Sequence, residues 1–80
     1  MAARSTPEDG DIVIRAEKRD HRVVYVLYAS PGADQYFLRS REEAIAKALI
    51  FAERERVRAW LTDEGDDFVL VEDFRIVESV

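Results

Sequence analysis

The chain reads as an α+β domain, an antiparallel sheet of four to five strands packed on one amphipathic helix in the order β-β-β-α-β-β. Three observations predict it. Ser40 is followed three residues later by Glu43, a helix start in which the Ser hydroxyl accepts from the Glu43 N–H and the Glu43 carboxylate returns to the Ser40 N–H. Ala44, Ile45, Ala48, Leu49 and Ala52 then repeat at helical period and form one apolar stripe. On either side lie runs rich in β-branched and aromatic residues, bounded by turn residues.

Taken in order, residues 1–10 are polar, carry Pro7 and Gly10, and read as a flexible leader to a single domain over 11–80. Ile12, Ile14 and Ala16 alternate with Arg15 and Glu17, the pattern of a half-buried strand. Arg19-Asp20-His21-Arg22 fits a tight hairpin connection. Val23 to Ala29 is apolar on both faces and predicts the central strand. Pro31-Gly32 suits the middle of a type II turn, and Gln35 to Arg39 is a short third strand leading to the cap. Glu42 and Glu43 suit the positive end of the helix dipole, and Glu43 with Lys47 makes an i,i+4 pair.

Two continuations of the helix are open. In one it runs through Trp60 and Leu61 to Gly65, leaving β-β-β-α-β. In the other, which the alternation of Val57, Ala59 and Leu61 favours, it stops near Arg56. A strand over 57–62 then turns through the acidic Asp63-Glu64-Gly65-Asp66-Asp67 into Phe68–Phe74.

Apolar residues make up 48% of the 80, too many for a disordered chain. No apolar run reaches the ~18 residues of a membrane span, and no hydrophobic leader precedes the domain, so the expected setting is cytoplasmic. There is no Cys, hence no disulfide and no thiolate chemistry. The net charge of −5 is segregated: residues 1–38 carry −1, residues 39–58 carry +2 and residues 59–80 carry −6. The acidic end would repel phosphates, which argues against a general nucleic-acid partner.

The residue types that carry chemistry do not assemble. His21 is the single imidazole, too few for a zinc site and without an orienting partner for base catalysis. The acids around Gly65 lack the ligand spacing of a calcium loop, and Glu72 and Asp73 point to opposite faces of a strand. No glycine-rich phosphate loop and no Ser–His–acid pattern occurs. No enzyme, cofactor, metal or small-molecule substrate is expected. Tyr25, Tyr28, Tyr36, Phe37 and Trp60 could stack on single-stranded bases if they shared an exposed face, but packing within the sheet is the better expectation.

One helix covers one face of such a sheet. The other would carry Val24, Val26 and Tyr28, with Trp60 beside them, a larger apolar patch than a monomer usually exposes. The expectation is therefore a protein-interaction module, homodimeric or bound to another protein. Its contact surfaces would be that face, the polar side of the helix (Arg41, Glu42, Lys47, Glu53) and the acidic segment with Asp63, Glu64, Asp66 and Asp67.

Ser40-x-x-Glu43-Ala44-Ile45-x-x-Ala48 after three strands resembles the [S/T]-x-x-E-A-[I/L]-x-x-A helix start of small bacterial β-β-β-α domains over residues 11–52. Among these are HicB-type antitoxins, whose domain is partly double-stranded-RNA-binding-like. The resemblance implies the fold and a partner-blocking role. The Y-x-x-x-x-P-D-L-P-G-type segment of that family and its C-terminal DNA-binding element do not occur in these 80 residues.

Overall fold

Strands β1 (Ile12–Arg19) and β2 (Arg22–Ala29) form an antiparallel hairpin, Arg19 paired with Arg22 across an Asp20-His21 turn. Asp20 takes a left-handed φ of 56°, which Asp tolerates better than most residues. The computed structural model describes residues 6–63 and 67–76. Strand β3 (Asp34–Leu38) pairs antiparallel with β2, and helix α1 (Arg41–Glu55) crosses back over the sheet. Strands β4 (Arg58–Asp63) and β5 (Asp67–Asp73) follow as a second antiparallel hairpin. The element order is the β-β-β-α-β-β read from the sequence, with the helix ending at the nearer of its two possible stops.

The helix is capped as its sequence requires, with Ser40 Oγ accepting from Glu43 N–H at 3.0 Å. The return bond and the Glu43–Lys47 pair are not made. Lys47 instead lies over the Tyr36 and Phe51 rings, at 5.0 and 5.8 Å. At the far end Arg56 turns left-handed (φ 59°), and its N–H and that of Val57 close on carbonyls of the last turn.

Two expectations about the sheet are corrected. The strand order is β3-β2-β1-β4-β5, so the centre is β1 and not β2. The sheet is also mixed rather than purely antiparallel, because the helical crossover from β3 delivers β4 parallel to β1. Ile12, Val13 and Ile14 are accordingly buried on both faces, as a central strand demands. In the loop after β2, the closed turn spans Ala29–Gly32, with the Gly32 N–H donating to Ala29 O at 2.6 Å around a cis Ser30–Pro31 peptide. Pro31 and Gly32 are thus not the middle pair of a type II turn. A Cβ on Gly32 would stand 2.9 Å from that carbonyl, which reserves the position for glycine.

Between helix and sheet lies the main core. Ala44, Ala48 and Ala52 face Ile12, Ile14, Leu27 and Ala59, with Leu49, Phe51 and Leu61 at its margins. Alanines along the contact line let the helix sit close, so long aliphatic groups of the sheet fill the interlayer space. The helix packs on β1, β2, β3 and β4. On β5, Val69 shares the helix-side face with Leu61 yet remains 62% exposed.

Candidate interaction surface

The register arranges the face opposite the helix in rows. Tyr28, Val13, Trp60 and Leu70 are neighbours across four strands, and Phe37, Val26, Arg15, Thr62 and Phe68 form the next row across five. The four residues expected here, Val24, Val26, Tyr28 and Trp60, therefore do share one face. The patch they were expected to expose is not there. Val26 and Trp60 are fully buried, and Val24 and Tyr28 are half-buried.

What lies over this face is a layer of arginines and ring edges. Arg15 spans from Glu17 (2.6 Å) to Asp34 (3.1 Å) with its guanidinium 5.4 Å from the Tyr28 ring centre. Arg19 binds Glu17 at 2.8 Å and lies 5.5 Å over Phe37. Arg58 sits 4.8 Å above Trp60, and Phe68 meets the indole edge-on. Such side chains cover apolar surface with their stems while their heads stay wet. The two arginines hold the Glu17 carboxyl below its ordinary range, the bond from Arg19 being the stronger cause. Beneath the layer, Thr62 Oγ1 is buried without a hydrogen-bond partner among the described residues. A buried hydroxyl left unpaired costs stability, so Thr62→Val is expected to raise unfolding free energy by about 1 kcal/mol in urea titration.

Asp11 was not singled out from the sequence, yet it is the most heavily bonded carboxylate here. It is buried at the start of β1 and accepts from the Glu8 N–H (3.0 Å), the Arg58 N–H (3.2 Å), Arg58 Nε (3.0 Å) and Trp60 Nε1 (2.9 Å). Burial pushes its carboxyl upward, but these donors outweigh it and hold the group below its ordinary value. With all four of these donors supplied by the protein itself, the arrangement clamps the parallel β1–β4 junction.

On the helix side, Arg41, Leu61, Asp63, Asp67 and Val69 line a cleft of about 260 Å³. Arg41 is exposed in the first helical turn, and Asp63 and Asp67 are paired across β4 and β5. Lys47 is half-buried against its two rings rather than free on a polar face. Glu64 and Asp66 lie outside the described residues. The expected contact residues thus divide between opposite faces, and His21 stands apart in the exposed hairpin turn.

Among the described residues the outer edge of β3 is open, and so are two surfaces that carry exposed apolar groups. One is the outer edge of β5, which has no neighbouring strand among the described residues and carries Val69 (62% exposed) and Leu70 (47%). Acids stand at both its ends, and Arg75 holds the Asp73 carboxyl at about 2 through side-chain bonds. The other is a groove of about 690 Å³ at the hairpin end, lined on the far face by Arg19, Arg22, Val24, Phe37 and Arg39 and reaching round to Val23 and Leu38 on the helix side. Phe37 is 56% exposed there, and Arg22 and Arg39 have no ion-pair partner among the described residues.

No helix among the described residues is long and apolar enough to cross a membrane. A scan against protein-family models, a search of curated proteins and a search of solved structures each return no match.

Proposed function

We propose that the chain is a non-enzymatic, cytoplasmic protein-interaction module that self-associates along the β5 edge of its sheet. The observation that carries the reading is the β5 edge, one of the two edges of the sheet and uncovered among the described residues, a seven-residue strand with Val69 and Leu70 exposed on its two faces. A strand edge presents unpaired N–H and C=O groups that another strand can complete, and soluble proteins commonly blunt such edges with charge or short length. Here charge stands only at the ends, in Asp67, Glu72 and Asp73, and the middle is Phe68-Val69-Leu70-Val71.

Light scattering at low micromolar concentration tests it. The 9.2 kDa chain is expected at twice its mass. Leu70→Glu and Val69→Glu are expected to return it to monomer without loss of fold, since both side chains are exposed. A wild-type monomer overturns the proposal.

A second reading, antitoxin-like as the helix-start resemblance implies, gives the same edge to a different protein. The acids flanking β5 and the −6 carried by residues 59–80 would suit an apolar strand with basic ends. Binding of such a strand would weaken as salt rises past the ~10 Å screening length of 0.1 M. A dimer unaffected by salt and by added basic peptide excludes this second reading.

A further inference from the structure

We infer that the far-face groove at the hairpin end is a binding site for single-stranded nucleic acid, with Arg22 and Arg39 taking phosphates and Phe37 offering a stacking platform. Three features of the groove carry this. First, the charge segregation that sets the whole chain at −5 does not hold locally. The groove brings together Arg19, Arg22 and Arg39 with no acid in its lining, and on the same face Glu17 is already held by Arg15 and Arg19 and Asp34 by Arg15. Arg22 opens β2 and Arg39 follows the end of β3, and the two come together only in the fold. Their planar forks suit phosphate oxygens, and among the described residues they have no ion-pair partner to give up on binding.

Second, the aromatic groups expected to serve a single-stranded ligand are sorted by the sheet. Tyr25 and Tyr36 go to the helix side and Trp60 is buried, which leaves Phe37 and Tyr28 on the open face in successive rows. Each has an arginine over one side of its ring, Arg19 over Phe37 and Arg15 over Tyr28. Two such pairs in consecutive rows favour a repeating ligand over a single nucleotide. Third, the face is a sheet without protruding helix or ribbon. It suits unstacked bases lying flat and has nothing to enter a duplex groove. An acidic polypeptide would use the arginines but would gain little from the rings, so the rings decide between the two. The site lies on β2 and β3, away from the β5 edge, and the inference stands independently of self-association.

Fluorescence anisotropy of a labelled single-stranded oligonucleotide of about a dozen nucleotides, with the full chain at about 50 mM salt, tests it. Binding is expected, and Phe37→Ala should weaken it about 5- to 100-fold, as loss of one stacked base does. Arg22→Ala with Arg39→Ala should lower the slope of log affinity against log salt by about 1.4, two phosphate contacts at ~0.7 each. Circular dichroism and melting of each variant establish that the fold is kept. Absence of binding at low salt overturns the inference. So does binding that Phe37→Ala leaves unchanged and polyglutamate displaces, which would make the groove a site for an acidic polypeptide. Duplex or mononucleotide binding as tight as that of the oligomer would overturn it too.

Discussion

Asp11→Ala is expected to cost about 3–5 kcal/mol of folding free energy, the range for removing one member of a buried ion pair. Its carboxylate is the common acceptor of four donors, and truncation leaves the Arg58 guanidinium and the Trp60 indole N–H facing each other across an empty acceptor position. Arg58 is only 12% exposed at its side chain, so water cannot readily replace the lost partner. Against a total of roughly 4–12 kcal/mol for a domain of this length, the variant should be largely unfolded in mild urea. Asp11→Asn tests the charge separately: it keeps one acceptor oxygen but turns an NH₂ group towards donors. The contribution also has a definite pH course. The folded carboxyl titrates below its unfolded value of about 3.9, so the stabilisation is complete above that pH. It is lost as pH falls through the folded value, and the gap between wild type and Asp11→Ala should narrow below about pH 4. Urea titrations at pH 7 and pH 3 check this; a gap of the same size at both would show that the charge is not what holds the junction.

Asp11 also shows where local pattern stops being informative. Its partners Arg58 and Trp60 lie 47 and 49 residues away, and no spacing rule connects them. What was readable was local: the Ser40 cap, the alanine stripe, and the alternation of Val57, Ala59 and Leu61 that ended the helix at Glu55. These depend on contacts within a turn or a strand, and their periodicity survives in one dimension. The sheet order did not survive in the same way. Ile12-Val13-Ile14 is enclosed on both faces, but so are Val26 and Leu27 of β2, so an apolar run on both faces does not tell the central strand from its neighbour. Arg22 and Arg39 remained unconnected for the same reason as Asp11: adjacent in the groove, they are far apart in the chain.

The far face carries the more instructive error. A sheet face without a helix seemed to need a second subunit, because Val26 and Trp60 were treated as exposed apolar area. The structure covers them with long side chains instead. Arg15, Arg19 and Arg58 each combine an aliphatic stem with a head that finds a carboxylate, and each lies over a ring. The alternation along β1 predicts a half-buried strand, and on its far face Arg15 and Glu17 form a half-buried outer layer. On the sheet, the apolar groups that stay open include Val69 and Leu70 on β5 and Phe37 on β3.

Trp60→Ala separates these two views of the indole, with an expected loss of about 3–5 kcal/mol. The side chain is 1% exposed in the single chain, packed between Val13 and Leu70 in its row, under Arg58 and against the edge of Phe68. Its removal opens a ring-sized cavity in the second layer and takes one donor from Asp11. Were Trp60 instead a contact for another subunit, truncation would lower the association constant and leave the folded monomer as stable as before. Trp60→Phe keeps most of the ring and remains folded enough to measure. It should cost about 1.5–3 kcal/mol, the worth of a hydrogen bond to a charged group, with dimer dissociation unchanged. Urea unfolding and light scattering on the same samples read both quantities at once. Weakened association with unaltered unfolding would return Trp60 to the interface and leave the arginine layer without its proposed part in covering it.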